Sequence, residues 1–295
     1  MKRSTKITKP DAILTSDWHL RENQPVAWTV EFEPHQWNSV RFVKDLQEQY
    51  NCPVLHAGDL FHHWKPSPSL LSKTIEHLPN QFYTVYGNHD LPQHSMELLE
   101  KCGVFTLTKA DKVHILEQGH WGMDPKHFYD FESLRLTDKE ILVWHKMTYQ
   151  GKKPWPDCTD PKAVKLLRQH PDFNLIVTGD NHESFVEEYE GRLLVNPGSL
   201  TRQTAKQIDF KPSVYLYFAE NNTVERVFIP IEENVISREH LEITEAKDAR
   251  IDAFISTLNE DWQIGLSFTE NLKKFQQKNK VKKPIMEIIY KAIEI

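Results

Sequence analysis

The residues in this chain best suited to chemistry are its histidines and the carboxylates beside them. There are 15 histidines among 295 residues, roughly twice what an average composition gives. They fall in groups. Asp17 stands two residues before His19, Asp180 stands two before His182, and Asp59 follows a glycine in GDLFHH (58–63). Asn88, His89 and Asp90 follow a glycine in GNHD (87–90), and His145 closes the run ILVWH. Imidazoles mixed with carboxylates suit two tasks: holding divalent cations and moving protons near neutral pH. Two cations ~3.5–4 Å apart, sharing one carboxylate and taking further ligands each, are a recurrent device for hydrolysing phosphate esters.

Each group alone is weak. Asp and Asn favour turns, GD is common after a strand, and a histidine ending an apolar run is often a satisfied core residue. Their joint placement says more. Runs at 12–17, 52–59, 82–88, 112–118, 140–146 and 174–180 are rich in β-branched and aromatic residues and read as strands. Helical patterns lie between them at 35–50, 67–78, 95–102 and 160–170, the last with Asp160 as N-cap and Pro161 at the first helical position. This alternation predicts an α/β fold. Five of the strands deliver Asp, Asn or His near their C-terminal ends, the edge where α/β sheets build sites. Alternate residues of an extended chain point the same way, so Asp17 with His19, and Asp180 with His182, are expected as ligand pairs on one face. Segments 184–199, 213–220 and 223–231 alternate polar and apolar like antiparallel strands, and from about residue 235 the pattern turns helical, at 245–258, 268–279 and 284–295.

Composition narrows the class. Hydrophobic content of 39% and charged content of 26% fit a soluble globular protein. No run approaches the ~18 apolar residues of a membrane span. No apolar segment follows the basic MKRSTKITKP, so no secretory signal is expected and a cytoplasmic location is. Cys52, Cys102 and Cys158 are far apart with no CxxC pair, which argues against a cysteine zinc site or a disulfide framework. A net charge of −6 argues against coating nucleic acid by bulk charge. It leaves a nuclease open, because bound metal can bring the positive charge.

The order D-x-H, GD, GNHD, H, GxxH resembles the calcineurin-like metallophosphoesterases over roughly residues 11–230. AGDLFHHWKPS (57–67), VYGNHD (85–90) and LVNPGSLTRQ (194–203) are more specific. They resemble the SbcD nucleases, whose eukaryotic counterpart is the meiotic recombination eleven protein, and the short chain is similar to compact bacteriophage members. The resemblance implies a four-layer αββα sandwich with a small helical C-terminal appendage. Residues 1–233 would form the nuclease core and 234–295 a helical region contacting a partner or DNA. It implies a two-metal-dependent DNA exo/endonuclease subunit of repair, recombination or replication, acting with an SbcC-type coiled-coil ATPase. It also implies a homodimer, and host cytoplasm for a phage-encoded chain.

Carried over by motif, Asp17, His19 and His182 would hold one ion and Asn88, His145 and Asp180 the other, with Asp59 bridging. His89 would be the general acid near the leaving oxygen, with Asp90 orienting it, and His62 would face the DNA beside the scissile phosphate. The family usually has GHxH where this chain has GDNH, so Asp180 replaces an imidazole. A carboxylate there favours manganese or magnesium over zinc. Manganese is the expected ion, with magnesium the alternative. Arg21, His63, Lys65 and Lys146 are candidates for DNA contact. Trp18, Trp28, Trp64 and Trp155 either stack on bases or fill the core. Six lysines between 273 and 283 read as a solvated helix, a DNA-contacting arm or a docking segment. Two other functions stay open: a phosphatase or small phosphodiesterase of the same superfamily, and a non-catalytic DNA- or partner-binding module. The intact Asn88–His89–Asp90 triplet argues against the last.

Overall fold

Alternation along the strands sorts the apolar residues into three packed layers. In β1 (Ala12–Thr15), Ala12 and Leu14 face one cluster and Ile13 another. In β5 (Ile141–Trp144), Ile141 and Val143 join Ala12 and Leu14, while Leu142 and Trp144 face away into a third. The period of two is that of a pleated strand buried on both faces. The shared cluster lies between two sheets. The outer two are covered by helices.

The computed structural model describes residues 9–116 and 138–239, together with 241, 273, 276, 277, 281, 282, 284 and 285. By its contacts the chain divides into Met1–Ser237 and Arg238–Ile295. The helices expected at 245–258, 268–279 and 284–295, and most of the lysine-rich tail, lie outside the described residues.

The first sheet runs β10-β9-β1-β2-β3-β4. Here β2 is Val54–His56, β3 Phe82–Thr84, β4 His114–Ile115, β9 Ser213–Phe218 and β10 Thr223–Phe228. β1 to β4 are parallel, and β9 and β10 close the sheet antiparallel. The second runs β5-β6-β8-β7, with β6 Leu175–Thr178, β7 Phe185–Tyr189 and β8 Arg192–Asn196. β5, β6 and β8 are parallel and β7 is antiparallel to β8. Helices α1 (Phe32–Tyr50), α2 (Pro68–His77) and α3 (Gly103–Lys109) cover the first sheet through Trp37, Val40, Val43, Leu70 and Leu107. Helix α4 (Ala163–Gln169) covers the second through Ala163, Leu166 and Leu167. This is the four-layer αββα sandwich, and a parallel bridge between Ser16 and Ser199 joins the sheets at one edge.

Several local expectations change. The strands stop short of the polar clusters, because Asp17, Asp59 and Asp180 adopt φ of 50°, 58° and 72° and left-handed residues cannot continue a strand. β8 is antiparallel only to β7 and joins β6 in parallel. Residues 96–101 form a 3-10 turn kinked at Leu98 rather than an α-helix. Cys102 then caps α3, whose β-branched GVFTLTK disguises a helix. Asp160 does not cap α4. Lys162 stands at that position, held extended by a bridge to Tyr149, and Asp160 pairs with Lys146 at 3.4 Å. Among the described residues no helix is long and apolar enough to cross a membrane.

Candidate metal centre

The C-terminal ends of β1, β2 and β3 in one sheet, and of β5, β6 and β8 in the other, reach the same edge of the sandwich. Asp17 and His19 follow β1, Asp59 follows β2, Asn88 to Asp90 follow β3, His145 follows β5, and Asp180 and His182 follow β6. Asp17 and His19 were expected to align as alternate residues of a strand. They converge because both turn left-handed, at φ 50° and 46°. Asp59 and Asp180 do the same. Left-handed non-glycine residues cost energy and gather where a site over-determines them.

The side chains form two adjoining groups. Candidate ligand atoms of Asp17, His19 and His182 lie within 4.8 Å of one another, and so do those of Asp17, Asp59 and His145. The Nε2 atoms of His19 and His182 are 3.0 Å apart. Asp59 Oδ2 sits between the groups, 3.6 Å from His19 Nε2 and 3.4 Å from His145 Nε2. Asn88 Oδ1 is 2.9 Å from His145 Nε2. Asp180 stands at the rim, its Oδ1 3.9 Å from His145 Nε2 and its side chain 31% exposed. The His145 ring is aimed by Nδ1, which donates to the Ala57 carbonyl at 2.7 Å. Close approach requires the glycines of the motifs. A Cβ on Gly87 would fall 2.1 Å from Asp59 Oδ1, and one on Gly179 would fall 2.4 Å from the Ala57 carbonyl.

Electrostatics mark the cluster as one that calls for a cation. Burial pushes the Asp17 carboxyl up to about 8, with Asp59 and Asp180 adding to it. Burial opposes charge on His145, yet Asp59, Asp17 and Asp180 together lift it to about 10. Burial also works upward on Asp59, but His145, then His19 and His89, hold its carboxyl well below the usual range. Burial lowers His182 and His62 to about 4 and takes His19 well below the ordinary histidine value. Asp17 Oδ2, fully buried, has no hydrogen-bond partner among the described residues. An orphaned carboxylate oxygen beside converging imidazole nitrogens fits a divalent cation, and this oxygen-rich donor set suits hard and borderline ions. Asp17 and His145 are both raised, so a cation that binds there competes with their protons. Titration calorimetry in buffers of different ionisation enthalpy is expected to show proton release on binding at about pH 7, and affinity rising from there toward about pH 10. Affinity independent of pH across that window would refute this charge assignment.

Asp90 plays a different part from the one the motif implied. The Asp90 carboxylate does not orient the His89 ring. It is fully buried and accepts from the backbone N–H groups of Gly87, Leu60 and Phe61 at 3.0–3.2 Å, locking the two loops together. The His89 ring is oriented instead by the His62 carbonyl, 2.8 Å from Nδ1, while the backbone N–H of His89 donates to Asp59 Oδ1. The rings of His62 and His89 stack at 5.4 Å, and His89 stands edge-on to His19 at 4.8 Å. Arg21, His62, His63 and Lys65 line one groove of about 260 Å³. Lys146 lies apart, paired with Asp160. Trp18 and Trp28 are core, bonded to Thr15 Oγ1 and the Arg202 carbonyl, and Trp64 packs against the core, whereas Trp155 is 46% exposed.

Sequence reasoning took LVNPGS only as a family marker; its positioning role was missed. Asn196 Nδ2 donates to the carbonyls of Asn181 and Glu183 on either side of His182, and its Oδ1 accepts from Thr178. Ser199 N–H donates to the His182 carbonyl, Leu200 N–H to that of Asp17, and Ser16 to that of Gly198. The motif thus ties the Asp17 loop to the His182 loop. Asn196→Leu strands these buried partners, each costing about 1–3 kcal/mol. Urea unfolding is expected to show a loss of at least that size, and an unchanged midpoint would show that the clamp is not needed for stability.

The calcineurin-like phosphoesterase superfamily domain matches residues 12–217. The chain is 26% identical over 184 residues to the DNA double-strand break repair protein Mre11 of Haloferax volcanii, covering 57% of this chain and 41% of the relative. It is 26% identical over 242 residues to the protein of the same name from Methanosarcina mazei, covering 74% and 37%. The chain therefore spans well under half the length of these relatives. A solved archaeal phosphodiesterase superposes with a TM-score of 0.40 at 15% identity, over 74% of this chain and 98% of that one. With that domain matched over most of the chain, and its candidate ligand residues gathered at one edge of an αββα sandwich, the protein belongs to the calcineurin-like phosphoesterase superfamily.

Proposed function

We propose that the chain is a metal-dependent DNA nuclease, a phosphodiesterase subunit acting in DNA repair or recombination. The observation that carries the hydrolase reading is Asp59 Oδ2 lying between the His19 and His145 imidazoles, with His89 alongside. When bound, two divalent ions supply a nucleophile and neutralise phosphate charge. Asp17, His19 and His182 would hold one and Asn88, His145 and Asp180 the other, with Asp59 shared. Manganese is the favoured ion, because Asp180 brings a carboxylate where an imidazole is usual in the family. His89 delivers a proton to the leaving oxygen from Nε2, since Nδ1 is engaged with the His62 carbonyl. Asp90 is a positioning residue.

A polymeric substrate is favoured over a small phosphomonoester by the groove of Arg21, His62, His63 and Lys65 beside His89 and by the similarity to two DNA repair proteins. Residues 234–295 are the proposed contact for DNA or for an SbcC-type ATPase, and a homodimer, a cytoplasmic location and a bacteriophage source belong to the same reading. The test is digestion of linear double-stranded DNA with manganese, beside an Asp180→Ala control. Cleavage by the wild type, lost in the control, supports the nuclease and the metal role of Asp180. Hydrolysis of p-nitrophenyl phosphate with DNA left intact would favour the phosphatase alternative.

A further inference from the structure

Beside His182 lies a second cavity of about 510 Å³, lined by none of the residues of the His62 groove. Glu183, Ser184, Lys206, Phe210 and Arg226 line it with His182. Its volume falls within the ~300–1,000 Å³ of ordinary small-ligand sites. The proposed mechanism leaves it without a task.

Its walls are wired to the metal centre. Lys206 lies in the 3-10 turn Ala205–Gln207. The Gln207 side chain donates to Ser199 Oγ at 2.7 Å and accepts from the Gln203 N–H at 2.7 Å. Ser199 in turn bonds the His182 carbonyl. The turn that carries Lys206 and leads to Phe210 therefore shares a frame with His182. The Arg226 Nε donates to Ser213 Oγ at 2.9 Å, and its guanidinium lies 4.7 Å from the Phe228 ring centre. Among the described residues neither Lys206 nor Arg226 has an ion-pair partner. One acid, Glu183, faces the cavity with them. Two such cations and a half-buried aromatic ring, set next to a candidate ligand of the phosphate-binding metals, complement a phosphate attached to a flat base.

We propose that this cavity holds one unpaired nucleotide flanking the scissile phosphate, with its base against Phe210 and its further phosphate between Lys206 and Arg226. The proposal rests on the nuclease reading above. It extends the substrate chain from the His62 groove past the metal centre to this cavity.

The experiment compares a single-stranded oligonucleotide with bis(p-nitrophenyl) phosphate, which has no flanking nucleotide. In Phe210→Ala the ratio of oligonucleotide to small-diester cleavage is expected to fall about tenfold, the size of one lost base–aromatic stack. In Lys206→Gln with Arg226→Gln, the salt dependence of the oligonucleotide KM should flatten by about 0.7 in log–log slope per charge removed. A purely structural role would not move that slope. If the ratio and the slope keep their wild-type values, the cavity is not a nucleotide subsite, and the nuclease reading survives. If both substrates fall together, the residues act through folding and the subsite is likewise refuted. If the wild-type chain cleaves the small diester and leaves DNA intact, the nuclease reading itself fails and the subsite with it.

Discussion

The His89→Ala protein is expected to bind divalent cations as the wild type does and to cleave DNA about 10²–10⁴-fold more slowly, the usual worth of a positioned proton donor. The His62 carbonyl accepts from Nδ1 at 2.8 Å. That bond fixes a proton on Nδ1 and leaves Nε2 as the nitrogen that exchanges protons with substrate. The backbone N–H of residue 89, which donates to Asp59 Oδ1 at 2.8 Å, survives the substitution, so the Asp59 carboxylate keeps its support. Single-turnover cleavage beside metal content per chain separates the roles. Normal turnover removes His89 from the chemistry. Loss of metal together with activity would make it a ligand, grouped with His19 and His62, whose candidate ligand atoms also lie within 4.8 Å of its own.

Much of the fold was legible because burial imposes patterns. Strands packed on both faces are almost wholly apolar, and a polar residue that ends such a run is conspicuous. That is how the places of Asp17, Asp59, Asn88, His145 and Asp180 could be read. The division of those strands between two sheets could not be, since parallel strands buried on both faces look alike whichever sheet they join. Nor could the positive φ values that bring Asp17 toward His19, because Asp and His tolerate that conformation without demanding it. The tasks of Asp90 and Asn196 stayed hidden for a related reason. Both act on backbone groups of distant loops, and backbone groups carry no mark in a sequence. The family resemblance implies that Asp90 orients His89, but its carboxylate turns to Gly87, Leu60 and Phe61.

Asp59→Asn is the substitution expected to do most damage. Its Oδ2 lies between His19 and His145, and its Oδ1 accepts from the His89 N–H. Asparagine keeps the shape and that one hydrogen bond but loses the charge that both ligand groups share. Removing one partner from a buried charged set costs about 3–5 kcal/mol, so metal affinity should fall by at least two to three orders of magnitude and cleavage should vanish under ordinary conditions. The effect on the metal-free fold has a definite sign. The Asp59 carboxyl titrates below its unfolded value of 3.8, despite burial, because His145, His19 and His89 face it. A carboxyl lowered in this way stabilises the fold above its unfolded pKa and loses that contribution as pH falls through the folded one. At neutral pH the variant therefore lacks stability that the wild type has, and His145 loses the largest of the influences that raise it. A cation at a hundred times its dissociation constant adds about 2.7 kcal/mol to a protein that binds it only when folded, equivalent to about 5–10 °C in Tm for a unit of this size. Thermal melts with and without manganese should show that rise in the wild type and little of it in Asp59→Asn. A variant that still gained the full shift, and still cut DNA, would place Asp59 outside the metal centre.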